Sequence, residues 1–150
     1  MIRDKKQTGS ILINMLAAIG VIAMMAAIAI PALETYQPNI KLKAEGRRLI
    51  SDLRYAQQLT ITEQKIHYLE MDPAGGSYAL IREDSPATTI KTVLLDAEID
   101  FQSITGLDNN RVVFNSYGAV SQSGEVVLAN SKNDTITVNI KPSGYVQMQP

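Results

Sequence analysis

Hydrophobic and polar positions along this chain fall into three successive regimes. Residues 11–33 (ILINMLAAIGVIAMMAAIAIPAL) carry no charge, and Asn14 is the only strongly polar side chain among them. Twenty helical residues rise about 1.5 Å each, roughly 30 Å together, which matches the hydrocarbon thickness of a bilayer. A helix also satisfies every backbone amide internally, as lipid requires. From residue 40 to about 64 the apolar positions thin to a stripe. Leu42, Leu49, Leu53, Ala56 and Thr60 recur at three-, four- and seven-residue steps, with Ile50 on the flank and Lys and Arg elsewhere, the spacing of an amphipathic helix. After Ile66 the period shortens. IHYLEM, SYALIRE, TIKTVLL, IDFQSI, RVVFNS, GEVVLAN, DTITVNI and GYVQM are short runs rich in β-branched and aromatic residues, split by turn-formers such as PAGG, TGLDNN and KPSG. They predict six to eight strands in an antiparallel β domain that buries the Leu49–Leu53–Ala56 stripe.

The pattern therefore predicts an α+β chain: a long N-terminal transmembrane-plus-stem helix packed on a small antiparallel β domain. The divisions expected are a leader at 1–9, a transmembrane helix at 10–33, a stem helix at 34–66 and a β head at 67–150. Pro31 and Pro38 are expected to interrupt or bend the rod, because neither donates an amide and each crowds the preceding turn. Gly46 is expected to be a weaker soft spot. A largely helical stretch over residues 11–64 would extend on the order of 80 Å.

Charge adds orientation. Arg3, Lys5 and Lys6 precede the apolar run and only Asp4 opposes them. Lys and Arg resist translocation, so the leader is expected in the cytoplasm and the residues after Pro31 outside, as a single-pass inner-membrane protein. A cleaved secretory signal fits less well, since its apolar core usually spans about 7–15 residues before a small-residue exit site. Behind the net charge of −1 lies an asymmetry: residues 40–66 hold six basic and three acidic side chains, residues 67–150 five basic and ten acidic. A basic stem beside an acidic head would order subunits head against stem, although solvated faces produce the same asymmetry.

Composition removes several chemistries. Cysteine is absent, which excludes disulfides, thiol nucleophiles and zinc–thiolate sites. No nucleophile elbow, dinucleotide fingerprint or phosphate-binding loop is present, so no catalytic residue and no cofactor are expected. His67, the only histidine, alternates with Ile66 and Tyr68 as a strand side chain. Asp108, Asn109 and Asn110, and again Asn130, Asn133 and Asp134, offer oxygens suited to calcium. Neither set has the spaced acidic ligands of a calcium loop, and Asx-rich turns explain both.

The boundary between leader and apolar run has its own signature. Lys6-Gln7-Thr8-Gly9, followed by Ser10, resembles the site cut by prepilin peptidase, and Pro31 stands where the type IV pilin superfamily keeps a proline. The stem Leu53-Arg54-Tyr55-Ala56-Gln57-Gln58-Leu59 with Ile66-His67-Tyr68-Leu69 is similar to the GspH/FimT group of minor pilins and pseudopilins within it. So are Val113-Phe114-Asn115-Ser116-Tyr117-Gly118, Gly124-Glu125-Val126-Val127-Leu128, Thr135-Ile136-Thr137-Val138 and Ser143-Gly144-Tyr145-Val146. Two letters depart from the superfamily: its first mature residue is usually Phe or Met, here Ser10, and its fifth is usually Glu, here Asn14.

This resemblance implies a non-enzymatic structural subunit of a type IV pilus, a type II secretion pseudopilus or a competence pseudopilus. It implies cleavage after Gly9, N-methylation of Ser10, and assembly through the apolar helix, with Asn14, Gly20 and Pro31 as assembly positions. The implied partners are other pilins or pseudopilins, prepilin peptidase, the inner-membrane assembly platform and, before assembly, lipid. In the superfamily the glutamate pairs with a neighbour's new N-terminal amine. Asn14 can hydrogen bond one turn from Ser10 but cannot neutralise that amine, which suits a subunit used sparingly, near a filament tip. A plain helix–helix hydrogen bond by Asn14 is the alternative. Direct DNA binding is not expected, because Arg47, Arg48 and Arg54 form the only basic cluster and the head is acidic. The rival from another class is a non-polymerising one-pass envelope protein whose β domain binds a ligand.

Overall fold

A computed structural model describes residues 7–149. The leader charges Arg3, Lys5 and Lys6 lie outside the described residues. One helix, α1 (Gln7–Glu63), is followed by eight strands: β1 (His67–Asp72), β2 (Ser77–Arg82), β3 (Thr88–Leu94), β4 (Ile99–Thr105), β5 (Arg111–Phe114), β6 (Gly124–Asn130), β7 (Thr135–Ile140) and β8 (Val146–Gln149). The chain divides into two compact units, Met1–Gln37 and Pro38–Pro150.

In the first unit the described side chains of residues 10–31 are almost all exposed; Leu12, Leu16, Ile22 and Ile28 are each two-thirds exposed or nearly so. The large apolar side chains from Ile11 to Ile30 therefore face outward. Neither proline ends α1, contrary to the expected interruption. A proline deletes one donor and crowds one turn, and the uncharged, strongly helix-compatible residues around Pro31 carry the helix past that defect. Pro38 is buried at the start of the second unit, where packing holds it in place.

The second unit is built as the stripe predicts. Leu42, Leu49, Leu53, Ala56 and Thr60 are all buried, with Ile50 beside them. Thr60 buries its hydroxyl safely by donating to the Ala56 carbonyl at 2.9 Å, since an unsatisfied buried donor would be costly. Gly46 lies on this same face and is buried. It is not a soft spot: a Cβ there would collide with Ile136 Cδ1 and sit 3.0 Å from Met148 Sδ. Glycine is the residue that lets the helix approach β7 and β8.

Two four-stranded sheets meet this stripe, in the orders β3-β2-β1-β5 and β4-β6-β7-β8. Every pair is antiparallel, as the short turn-rich links require. Alternation sets the faces: in β7, Ile136, Val138 and Ile140 are buried while Thr135, Thr137 and Asn139 are more open. Leu69, Tyr78, Leu80, Val112 and Phe114 from the first sheet join Ile99, Val126, Leu128, Val138 and Val146 from the second in one core. Helix α1 closes where Gln64 turns to φ 54°, a left-handed residue that stops the hydrogen-bond ladder.

Candidate functional site

The processing and assembly positions expected from sequence all lie on α1. Ser10 and Asn14 are one turn apart, about 40° around the axis, and share a face. Gly20 and Pro31 are eleven residues apart, about 20° around, and share another face with Ala27. The two faces are about 60–120° apart around the axis and Ser10 and Pro31 are twenty-one residues apart along it, so these four residues do not converge on a single site. A Cβ at Gly20 would meet nothing within 4 Å. Gly20 therefore offers open space to a neighbour instead of relieving a contact inside the chain. Residues Ser10–Pro31 are long and apolar enough to cross a membrane. Small positions at Ala17, Ala18, Gly20, Ala26 and Ala27 suit close helix–helix approach.

In the second unit, polar groups tie the stem to the head. Asp52 is buried on the stem and accepts from Tyr78 Oη at 2.7 Å and from Lys91 Nζ at 2.6 Å. Burial, reinforced by that hydrogen bond to Asp52, pushes the ionisation of the Tyr78 phenol far above its ordinary range, so the phenol stays a neutral donor. Lys41 pairs with Glu98 at 3.1 Å and Asp96 at 3.3 Å. The amide of Glu98 and the Lys41 ammonium hold the Asp96 carboxyl below its usual value. At the far end of the stem, Lys65 reaches Asp84 at 3.0 Å. Arg82, which also contacts Asp84, holds that carboxyl low, with Lys65 second.

His67 is fully buried; its Nδ1 lies 2.9 Å from the Lys65 carbonyl, so this nitrogen carries the donating proton. Its Nε2 lies 3.5 Å from Glu63 Oε2. It stands at the start of β1 as a buried strand side chain. Among the described residues no group of three or more His, Cys, Asp or Glu side chains could hold a metal. Both Asx clusters build turns: the Asn130 Oδ1 accepts from the Lys132 and Asp134 amides, each at 2.9 Å. Asn109 and Asn110 take φ 53° and 55°, conformations that asparagine tolerates.

Two glycine turns dock on the stem. Gly118 (φ 80°) leaves no room for a Cβ beside Ile61 Cδ1, 2.7 Å away. Gln57 Nε2 donates to the Gly118 carbonyl at 2.6 Å. Gly144 (φ 76°) packs against that same carbonyl and Gln57. Nothing local in sequence marks which of these turns meets which helix. Gly124 has no positive φ; a Cβ there would collide with the Thr105 carbonyl and then with Leu107.

The family described as Type II transport protein GspH matches residues 45–144. No curated protein matches the chain. The fold is similar to that of the minor pseudopilin EpsH from the Type 2 Secretion System of Vibrio cholerae, with a TM-score of 0.63 and 9% identity over 73% of this chain and 96% of that one. It is similar to the type IV minor pilin FimU of Pseudomonas aeruginosa, with a TM-score of 0.61 and 12% identity over 77% and 92%. The solution structure of E. coli GspH gives 0.59 and 12% identity over 74% and 89%. At these identities the likeness of structures is one of fold alone.

Proposed function

As this chain belongs to the GspH family of type II transport proteins, we propose that it is a minor pilin or pseudopilin, a structural subunit and not an enzyme. The observation that carries this reading is the bare apolar surface of residues 10–31, continued in the same helix by a stem that buries its stripe under a β head. A helix that is apolar all round needs lipid or other helices to cover it. Lipid covers it in the single-pass state, with the leader inside and the head outside the inner membrane. Other pilin-like helices cover it after assembly.

Maturation follows from the same segment. Prepilin peptidase cuts between Gly9 and Ser10, and Ser10 is methylated on its new amine. The inner-membrane platform then hands the subunit to a filament. Asn14 leaves a neighbour's amine without a counter-charge, which favours a place at or near the tip, where one set of neighbours is missing. Gly20 and Pro31 lie on the line of α1 best suited to close packing. Mass spectrometry of the N-terminal peptide, from cells with active prepilin peptidase, tests the reading: a methylated Ser10 start is expected. An intact Met1 start would instead favour a one-pass envelope protein with a ligand-binding β domain.

A further inference from the structure

Lys43, Arg47 and Arg54 lie four and seven residues apart on α1, within about 40° of one another, and form one line along the stem. All three are exposed. Among the described residues Lys43 and Arg47 have no side-chain ion-pair or hydrogen-bond partner, and Arg54 reaches the Val146 carbonyl at 3.4 Å. The other stem cations are paired: Lys41 with Asp96 and Glu98, Arg48 with Glu45, Lys65 with Asp84. Beside the line runs a groove of about 400 Å³, walled by Arg47, Ile50 and Arg54 on the stem and by Tyr145 and Met148 on the head. Its head wall is β8, the outermost strand of its sheet.

A second feature adjoins this groove. The turn at residues 115–119 packs on the turn at 141–145 through the Val120 amide and the Pro142 carbonyl. Asn115 fixes it by accepting from the Tyr117 and Ala119 amides at 3.0 and 3.1 Å. This preorganised turn presents Tyr117 with 91% of its surface exposed, and Tyr145 nearby is 53% exposed. Rigid, exposed tyrosines next to unpaired arginines are the side chains that dominate protein interfaces.

We propose that this groove and its tyrosines form the docking surface for an extended acidic segment of a different pilin-like subunit. The proposal rests on the filament reading above and names the chemistry of one neighbour. Three cations in line call for carboxylates in line. A second copy does not supply them: among the described residues the carboxylates without ion pairs or side-chain hydrogen bonds, Asp72, Glu83, Asp100 and Glu125, fall on four separate segments of the head. Nucleic acid is disfavoured by the ten acidic side chains of residues 67–150. An incoming carboxylate would capture Arg54 from its long contact with Val146, and Tyr145 would cover the pair from solvent.

The test uses the full chain in cells that express the whole assembly machinery. The photo-reactive residue benzoylphenylalanine replaces Tyr117 in one variant and Ile19 of the apolar helix in another. The expected result at Tyr117 is an adduct with another pilin-like subunit, mapped to a peptide bearing two or more carboxylates. Combined Arg47→Glu and Arg54→Glu should lower its yield roughly tenfold or more. An adduct indifferent to that reversal, an adduct with a second copy or with nucleic acid, or no adduct at Tyr117 would each overturn the proposal. If Ile19 still links to a pilin-like subunit, the filament reading survives that outcome. If neither position links, both fall. Because Arg47 and Arg54 are exposed, unchanged thermal unfolding of the 38–150 unit, which carries its own core, separates lost docking from lost folding.

Discussion

Replacing Gly46 by alanine sets two effects of opposite sign against each other. On helix propensity alone the substitution should stabilise by about 0.8–1 kcal/mol. The structure reverses that sign. The new methyl would collide with Ile136 Cδ1 and approach Met148 Sδ at 3.0 Å. Ile136 is 3% exposed and has little room to move. Overpacking a filled core costs about 1–3 kcal/mol. Ile136 and Met148 present side-chain ends to the methyl, which keeps the cost in the middle of that range. The net expectation is a loss of about 1 kcal/mol, or roughly 4 °C in the unfolding midpoint of a domain this size. Thermal and urea unfolding of the 38–150 unit measure it. Ile136→Val removes the atom in the way at a cost of about 0.5–1.5 kcal/mol by itself. In the double variant alanine should then be neutral or stabilising, a coupling of about 1 kcal/mol or more. A stabilising Gly46→Ala in the native background would refute the close approach of stem and sheet, and with it the reason given for this glycine.

Other substitutions probe other joints of the same unit. Gly144→Ala adds a Cβ at φ 76° against the Gly118 carbonyl. A left-handed conformation costs about 1–2 kcal/mol for alanine before any clash, so denaturant unfolding should show a loss of at least that size. Tyr78→Phe removes a buried donor from Asp52 and should cost about 1–3 kcal/mol. In the native protein the Tyr78 phenol has its folded pKa raised above its unfolded value. That contribution is therefore complete below about pH 10 and lost as pH rises beyond it; its phenolate absorbance should emerge only with unfolding. Asp84 and Asp96 have depressed folded pKa values. Their contribution is present above about pH 4 and lost as pH falls through the folded values. The thermal midpoint should therefore drop on acidification below pH 4, less steeply in Asp84→Asn. Asn14→Glu, tested in membranes, should raise incorporation into filaments; an unchanged subunit ratio would deny Asn14 any special role.

Much of this fold is legible because its signals are local. The uncharged run, the Leu42–Leu49–Leu53–Ala56 stripe and the period-two strands each follow from burial on one face, which sequence records directly. Gly46 misleads because propensity tables describe a helix in water, while its role depends on Ile136 and Met148, some ninety to a hundred residues away. Pro31 and Pro38 do not interrupt the helix, because each removes one donor and the flanking turns keep theirs. The Asp52–Tyr78–Lys91 tie and the exposed Tyr117 turn are invisible for the same reason as Gly46: partners from different elements meet only once the two sheets close over the stem. The apolar face of α1 belongs to neither class. Its letters mark the surface, and the proposed partner for it is a helix of another chain.

The central claim is that residues 10–31 form an assembly surface stored in lipid until the subunit is drawn into a filament. The direct measurement is the amount of this chain in sheared, purified filaments from cells with active prepilin peptidase, compared with cells lacking that enzyme. The account predicts a small but constant ratio to the bulk subunit, present only with the peptidase and only in the form starting at Ser10. Recovery solely in the inner-membrane fraction, while filaments assemble normally without it, would contradict the account.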